Sequence, residues 1–99
     1  MDTERDRILR LLTDHRQEIP QQFRVRQLGV FGSVARNESG PESDVDVLVE
    51  FQGPPTYDAY FGLRDYLGGL LGRPIDLVTD TGLKARARRN VERDLVRVA

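Results

Sequence analysis

Apolar positions along the 99-residue chain change their spacing from segment to segment, and the spacing predicts the elements. From Thr3 to about Glu18, Ile8, Leu11, Leu12 and Ile19 fall on one helical stripe. Asp2 or Thr3 can cap that helix, Asp6 stands three residues after Thr3, and Pro20 marks the end. Phe23 to Phe31 contains a first strand, its apolar run from Leu28 to Phe31 reading as buried. Val34, Ala35 and Arg36 begin a short helix that gives way to the turn-rich Asn37-Glu38-Ser39-Gly40-Pro41. Val45 to Phe51 alternates with a period of two: Val45, Val47, Val49 and Phe51 share one face, and Asp44 and Asp46 share the other.

After the break at Gln52-Gly53-Pro54-Pro55, Tyr57 to Leu71 reads as an amphipathic helix with Tyr60, Leu63, Leu67 and Leu71 on its stripe. Gly62, Gly68 and Gly69 each weaken it by roughly 1 kcal/mol relative to alanine. The adjacent pair near its end predicts fraying or a close backbone contact. Gly72-Arg73-Pro74 closes the helix, Ile75 to Val78 is a third strand, and Thr79 to Gly82 is a turn. A last helix is expected from Leu83 to Val98, striped by Leu83, Ala87, Val91, Leu95 and Val98. Helix, strand, short helix, strand, helix, strand, helix is an α/β order, with helices packed on a small mixed sheet. No repeat or low-complexity tract appears, and residues 1–99 read as one domain.

Composition narrows the class without naming the chemistry. Apolar residues make up 38% and charged residues 31% of the chain, yet the apolar ones are periodic, so a modest core forms. Cysteine is absent, which removes disulfides and thiolate metal sites and fits a cytoplasmic protein. Neither a signal peptide nor a membrane span is visible. The net charge of −1 hides an asymmetry. Between Asn37 and Leu63 stand six acidic residues and no basic one, whereas Lys84, Arg86, Arg88, Arg89, Arg93 and Arg97 crowd the last helix. The acidic middle would attract a cation, and the basic face is either solvated or meets an acidic partner.

The chemistry concentrates where the first strand ends. Gly32-Ser33 follows that strand directly; ten residues later come Asp44 and Asp46. A strand-to-helix turn of this kind aims backbone N–H groups and a hydroxyl at the space before the helix, which suits a phosphate. The simpler reading makes Ser33 an N-cap. Two neighbouring carboxylates repel each other and become tolerable around a divalent cation. A phosphate cradle beside a cation site is the equipment of phosphoryl or nucleotidyl transfer. Arg36 either reaches a triphosphate or is a solvated charge. Ser43 either bonds at the carboxylate pair or merely begins the strand. Asp76 is a charge within an apolar strand, which is either an exposed strand end or a paired or metal-bound group. His15, the only histidine, reads as a boundary residue, and Tyr57, Tyr60 and Phe61 as core and rim.

The pattern G-S-x10-D-x-D followed by an apolar strand resembles the polymerase-beta-like nucleotidyltransferase superfamily. The fuller string from Gly32 to Phe51, with the later P-I-D-L-V, resembles the minimal nucleotidyltransferases, antitoxin partners of HEPN-domain toxins, over nearly the whole chain. That family usually has glycine where this chain has Asn37, and asparagine tolerates positive φ better than other non-glycine residues. The resemblance implies the minimal nucleotidyltransferase fold and a third metal-binding carboxylate at Asp76. It also implies Mg²⁺, as two ions, on Asp44, Asp46 and Asp76, with Gly32 and Ser33 around the phosphates of ATP; Arg36 and Ser43 are further candidates for the nucleotide site. The implied reaction moves AMP from ATP to a tyrosine hydroxyl of a HEPN RNase toxin, which it silences. Nucleic acid is not expected as a direct substrate. Two alternatives stand beside it: an antitoxin that acts by contact alone, and a small-molecule nucleotidyltransferase, for which the chain is short of an acceptor pocket.

Overall fold

A computed structural model describes residues 3–38, 40 and 43–99. Helix α1 (Glu4–Asp14) starts at Thr3, whose hydroxyl accepts from the Asp6 amide while the Asp6 side chain returns the bond, a capping box. The helix is shorter than the periodicity suggested. His15 closes it, and a separate helix α2 (Glu18–Phe23) takes over. Pro20 therefore ends nothing: it occupies the first turn of α2, where the missing N–H has no intrahelical partner to lose. The His15 Nδ1 lies 2.8 Å from the Leu11 carbonyl and its ring meets Tyr66 edge-on, as suits a boundary residue.

Strand β1 (Val25–Phe31) leads into helix α3 (Gly32–Ala35), and strand β2 (Val45–Phe51) and helix α4 (Tyr57–Leu71) have the bounds read from the sequence. Thr56 caps α4, and Gly72 ends it in the left-handed region. The Gly68–Gly69 pair neither frays the helix nor brings backbone abnormally close. Strand β3 (Ile75–Thr79) follows, then a 3₁₀ turn at Asp80–Gly82.

The last segment departs from expectation. Helix α5 spans only Ala85–Asp94; Leu95 is extended, and Val96–Arg97 form a fourth strand, β4, antiparallel to β1. Free backbone groups on the outer edge of β1 outweigh the helical periodicity there: Val96 pairs with Val30, Arg97 with Gly29, and Leu28 exchanges bonds with Val98 and Ala99. Of the predicted stripe only Val91 is buried.

The sheet runs β3-β2-β1-β4, with β2–β3 parallel and the other pairs antiparallel, so it is mixed as expected. One face carries the core. Leu28 and Val30 of β1, Val45, Val47 and Val49 of β2 and Leu77 of β3 pack with Ile8, Leu12, Ile19, Val34, Leu63, Leu67 and Leu71. A bulge between Val25 and Gln27 keeps Val25 buried as well. The other face of β2 presents Asp46, Leu48 and Glu50, partly covered by α5. Tyr57 and Phe61 do not join the core: they stack on each other, Tyr57 83% exposed, at the end of β2 away from Asp44 and Asp46. Tyr60 is half-buried and donates to the Leu77 carbonyl, at 2.5 Å. No helix among the described residues is long and apolar enough to cross a membrane.

Candidate active site

The carboxylates gather where β1 ends and β2 and β3 begin. Phe31, the last residue of β1, pairs with Asp46, and Asp46 pairs in turn with Asp76 of the parallel neighbour β3. Parallel register sets the two aspartates side by side on one face. Asp44 lies two residues before Asp46, exposed, just ahead of β2. The D-x-D pair and the third aspartate, distant in sequence, thus share one corner of the sheet.

Gly32 stands directly against this corner. Its φ is +72°, and a methyl group placed on it would come within 2.2 Å of Asp46 Oδ2. Glycine is required twice over, by the backbone and by the carboxylate. Ser33 lies inside the first turn of α3, where Phe31 occupies the cap position and no side chain caps the helix. The N-cap explanation of Ser33 therefore fails. Asn37 sits at φ +59°, the conformation expected of it.

Asp46 has its carboxyl pushed up from an ordinary 3.8 to about 6. Burial is the main cause, followed by the charge of Asp76, a hydrogen bond with it and the charge of Asp44; Arg36 opposes them weakly. A divalent cation would reverse that shift, and hard, adjacent carboxylates are its natural donors. Among the described residues, however, no three or more Asp, Glu, His or Cys side chains converge as a ready-made metal cage. A cation held by the Asp46–Asp76 pair would complete its shell with other oxygens, as Mg²⁺ commonly does with phosphate.

Arg36 is placed near the corner but engaged elsewhere: its guanidinium meets Asp94 at 2.6 Å and Glu38 at 3.1 Å. The Ser43 hydroxyl accepts from the Gly40 amide at 3.0 Å. Sequence reasoning missed Arg73 altogether. Sitting between Gly72 and Pro74, it looked like part of a helix stop, yet its side chain is 6% exposed and bonds the turn that leads to Asp44.

The nucleotidyltransferase domain family matches residues 12–98. The chain belongs to that family. A protein adenylyltransferase, MntA, of Thermococcus cleftensis is 42% identical over 88 residues, covering 89% of both chains. A solved structure of a candidate minimal nucleotidyltransferase superposes with a TM-score of 0.74 at 35% identity, over 89% of this chain and 93% of the other. The fold is thus the minimal nucleotidyltransferase fold. At 16% identity and a TM-score of 0.67, the same fold is seen in a Shewanella oneidensis complex of a tri-AMPylated HEPN toxin with its MNT antitoxin. That match covers 92% of this chain and 71% of the other.

Proposed function

We propose that this nucleotidyltransferase is an antitoxin that moves AMP from ATP onto a tyrosine hydroxyl of a HEPN-domain RNase toxin, in the cytoplasm, with residues 1–99 acting as one catalytic domain. The observation that carries the reading is the register of Asp46 against Asp76 with Gly32 pressed on the Asp46 carboxylate. The adenylyltransferase name of the Thermococcus relative and the AMPylated toxin in the Shewanella complex support the group transferred and the partner.

Mg²⁺, expected as two ions on Asp44, Asp46 and Asp76, would neutralise the triphosphate and acidify the attacking hydroxyl. The chain's own residues do the positioning. Gly32 lets the backbone approach closely, and Ser33, free of any capping duty, faces the β- and γ-phosphates with the first-turn amides. Asp76, exposed on the edge strand, orients the incoming hydroxyl. The hydroxyl oxygen bonds to the α-phosphorus as its proton is released to solvent, the α–β bridging P–O bond breaks, and pyrophosphate leaves with its charge held at the turn.

Contact-only neutralisation keeps one observation in its favour, the lack of a ready-made three-ligand cage among the described residues. Incubation with ATP, Mg²⁺ and the toxin separates the two. Transfer adds an adenylyl mass to a toxin tyrosine, stops on chelation, and falls by orders of magnitude in Asp76→Asn while toxin binding persists. Toxin silenced without added mass makes contact the mechanism, and a fully active Asp76→Asn removes that aspartate from the chemistry.

A further inference from the structure

Arg73 is the most buried charged residue of the described chain. Its Nη2 donates to the Gly40 carbonyl at 2.8 Å and also to the Ser43 carbonyl. Its Nη1 lies 3.2 Å from the Glu4 carboxylate of α1 without hydrogen-bond geometry, and its Nε has no partner among the described residues. Glu4 is held in turn by Arg7, whose guanidinium also donates to the Leu71 carbonyl at the end of α4 at 2.9 Å. Burying a cation whose Nε is unbonded and whose Nη1 meets its counter-ion only as an ion pair is costly. An apolar side chain would fill the same space more cheaply, so the guanidinium is kept for what it bonds.

What it bonds is the turn before the D-x-D pair. The Ser43 amide donates to the Gly40 carbonyl at 3.3 Å and the Ser43 hydroxyl accepts from the Gly40 amide, closing the turn on itself. Arg73 then ties both of its carbonyls to the chain on the far side of the parallel pair. Asp44 follows the turn directly, whereas Asp76 stands three residues after Arg73 on β3. One planar side chain thus belongs by backbone to the Asp76 strand and by hydrogen bonds to the Asp44–Asp46 strand. The bond from the Val45 amide to the Pro74 carbonyl, at 2.9 Å, joins the same two segments where the β2–β3 ladder begins.

We propose that Arg73 is a positioning residue of the carboxylate corner: its guanidinium, anchored on Glu4, fixes the turn carrying Asp44 and Asp46 against the strand carrying Asp76, and so sets the separation of the cation-binding carboxylates. The proposal rests on the reading of that corner as the cation site. Arg73 touches neither substrate nor metal. Its effect passes through the carbonyls of Gly40 and Ser43.

The test uses the full chain without toxin, saturated with a non-hydrolysable ATP analogue and titrated with Mn²⁺ by calorimetry, alongside amide hydrogen exchange of the nucleotide-free chain in EDTA. Wild type must bind Mn²⁺ and Asp46→Asn must lose it; failure here overturns the cation-site reading itself, and this proposal with it. With that control passed, Arg73→Met is expected to bind Mn²⁺ about 10–100-fold more weakly per folded molecule, the range seen when a support behind metal ligands is lost. Exchange should accelerate at the Asp44, Val45 and Asp46 amides and stay slow at Leu28 and Val47. Arg73→Lys, keeping the charge but not the planar fork, should recover part of the affinity. Unchanged Mn²⁺ affinity, or exchange accelerated evenly across the core, overturns the proposal. Should Arg73→Met not fold, the same readings on Arg73→Lys decide. Loss of folding in both variants also overturns it, because the arginine would then serve the fold at large.

Discussion

Asp46 and Asp76 face each other across the parallel pair of β2 and β3, one register step from the strand ends. Twenty-nine residues of chain, including all of α4, lie between them in sequence. The pair is where the acidic middle of the chain acquires a geometry, and each prediction below follows from something that touches it.

The first concerns pH. Asp46 has its carboxyl raised from 3.8 to about 6, chiefly by burial and then by Asp76. A raised carboxyl favours the folded state at low pH, and that stability is lost as pH rises from about 4 through 6. The full shift corresponds to about 3 kcal/mol, and solvent screening at this half-buried carboxyl reduces it to roughly 1–2 kcal/mol. The metal-free chain is therefore expected to melt higher at pH 5 than at pH 7.5. Below about pH 4.5 the trend reverses as Glu4 and Asp94, both held below the ordinary carboxylate range by arginines, become protonated. Thermal melts of wild type and Asp46→Asn across this range check it, since the variant should lose the gain between pH 7.5 and 5.

Gly32→Ala is expected to destabilise by about 1–3 kcal/mol, the cost of a non-glycine residue in strained backbone, and to displace the Asp46 carboxylate. The new methyl group would stand 2.2 Å from Asp46 Oδ2 and 3.1 Å from its Cγ. A denaturant titration gives the stability change. If Gly32→Ala costs no more than Gly53→Ala, where φ is also positive but no atom lies nearby, the close contact with Asp46 carries no weight.

Ser33→Ala should leave stability well inside the ~1 kcal/mol that a lost N-cap costs, because Phe31 holds the cap position and Ser33 makes no capping bond. ATP affinity in the presence of Mg²⁺ should fall. A variant that melts early but binds ATP normally when folded would show that the hydroxyl supports the turn rather than the phosphates.

Arg36 is held by Asp94 at 2.6 Å and by Glu38. Asp94→Asn should release it and tighten ATP binding, whereas Arg36→Ala should weaken binding; both effects should shrink at high salt. If neither variant alters ATP affinity, Arg36 only fastens α3 to the end of α5.

The sequence determined the elements that depend on local pattern. The alternation from Val45 to Phe51 and the stripe of α4 were legible because each side chain's face follows from its own position in the chain. So was the Thr3 cap, whose cause lies within a few residues, whereas the left-handed Asn37 followed from the glycine that the resembled family usually has there. The G-S and D-x-D spacing carried the family, since local motifs survive in one dimension. Tertiary structure decided what depends on partners remote in sequence. Leu95 and Val98 carry helical spacing, yet the chain from Leu95 leaves the helix to satisfy the open edge of β1, an edge no local pattern reveals. Ser33 has no capping duty because Phe31, arriving extended from β1, takes the position. Arg73 reads only as part of a helix stop until folding buries it against the carbonyls of Gly40 and Ser43. The pairing of Asp46 with Asp76 is of the same kind: parallel register is set by how β2 and β3 pack beneath α4, and only that packing puts the two carboxylates side by side.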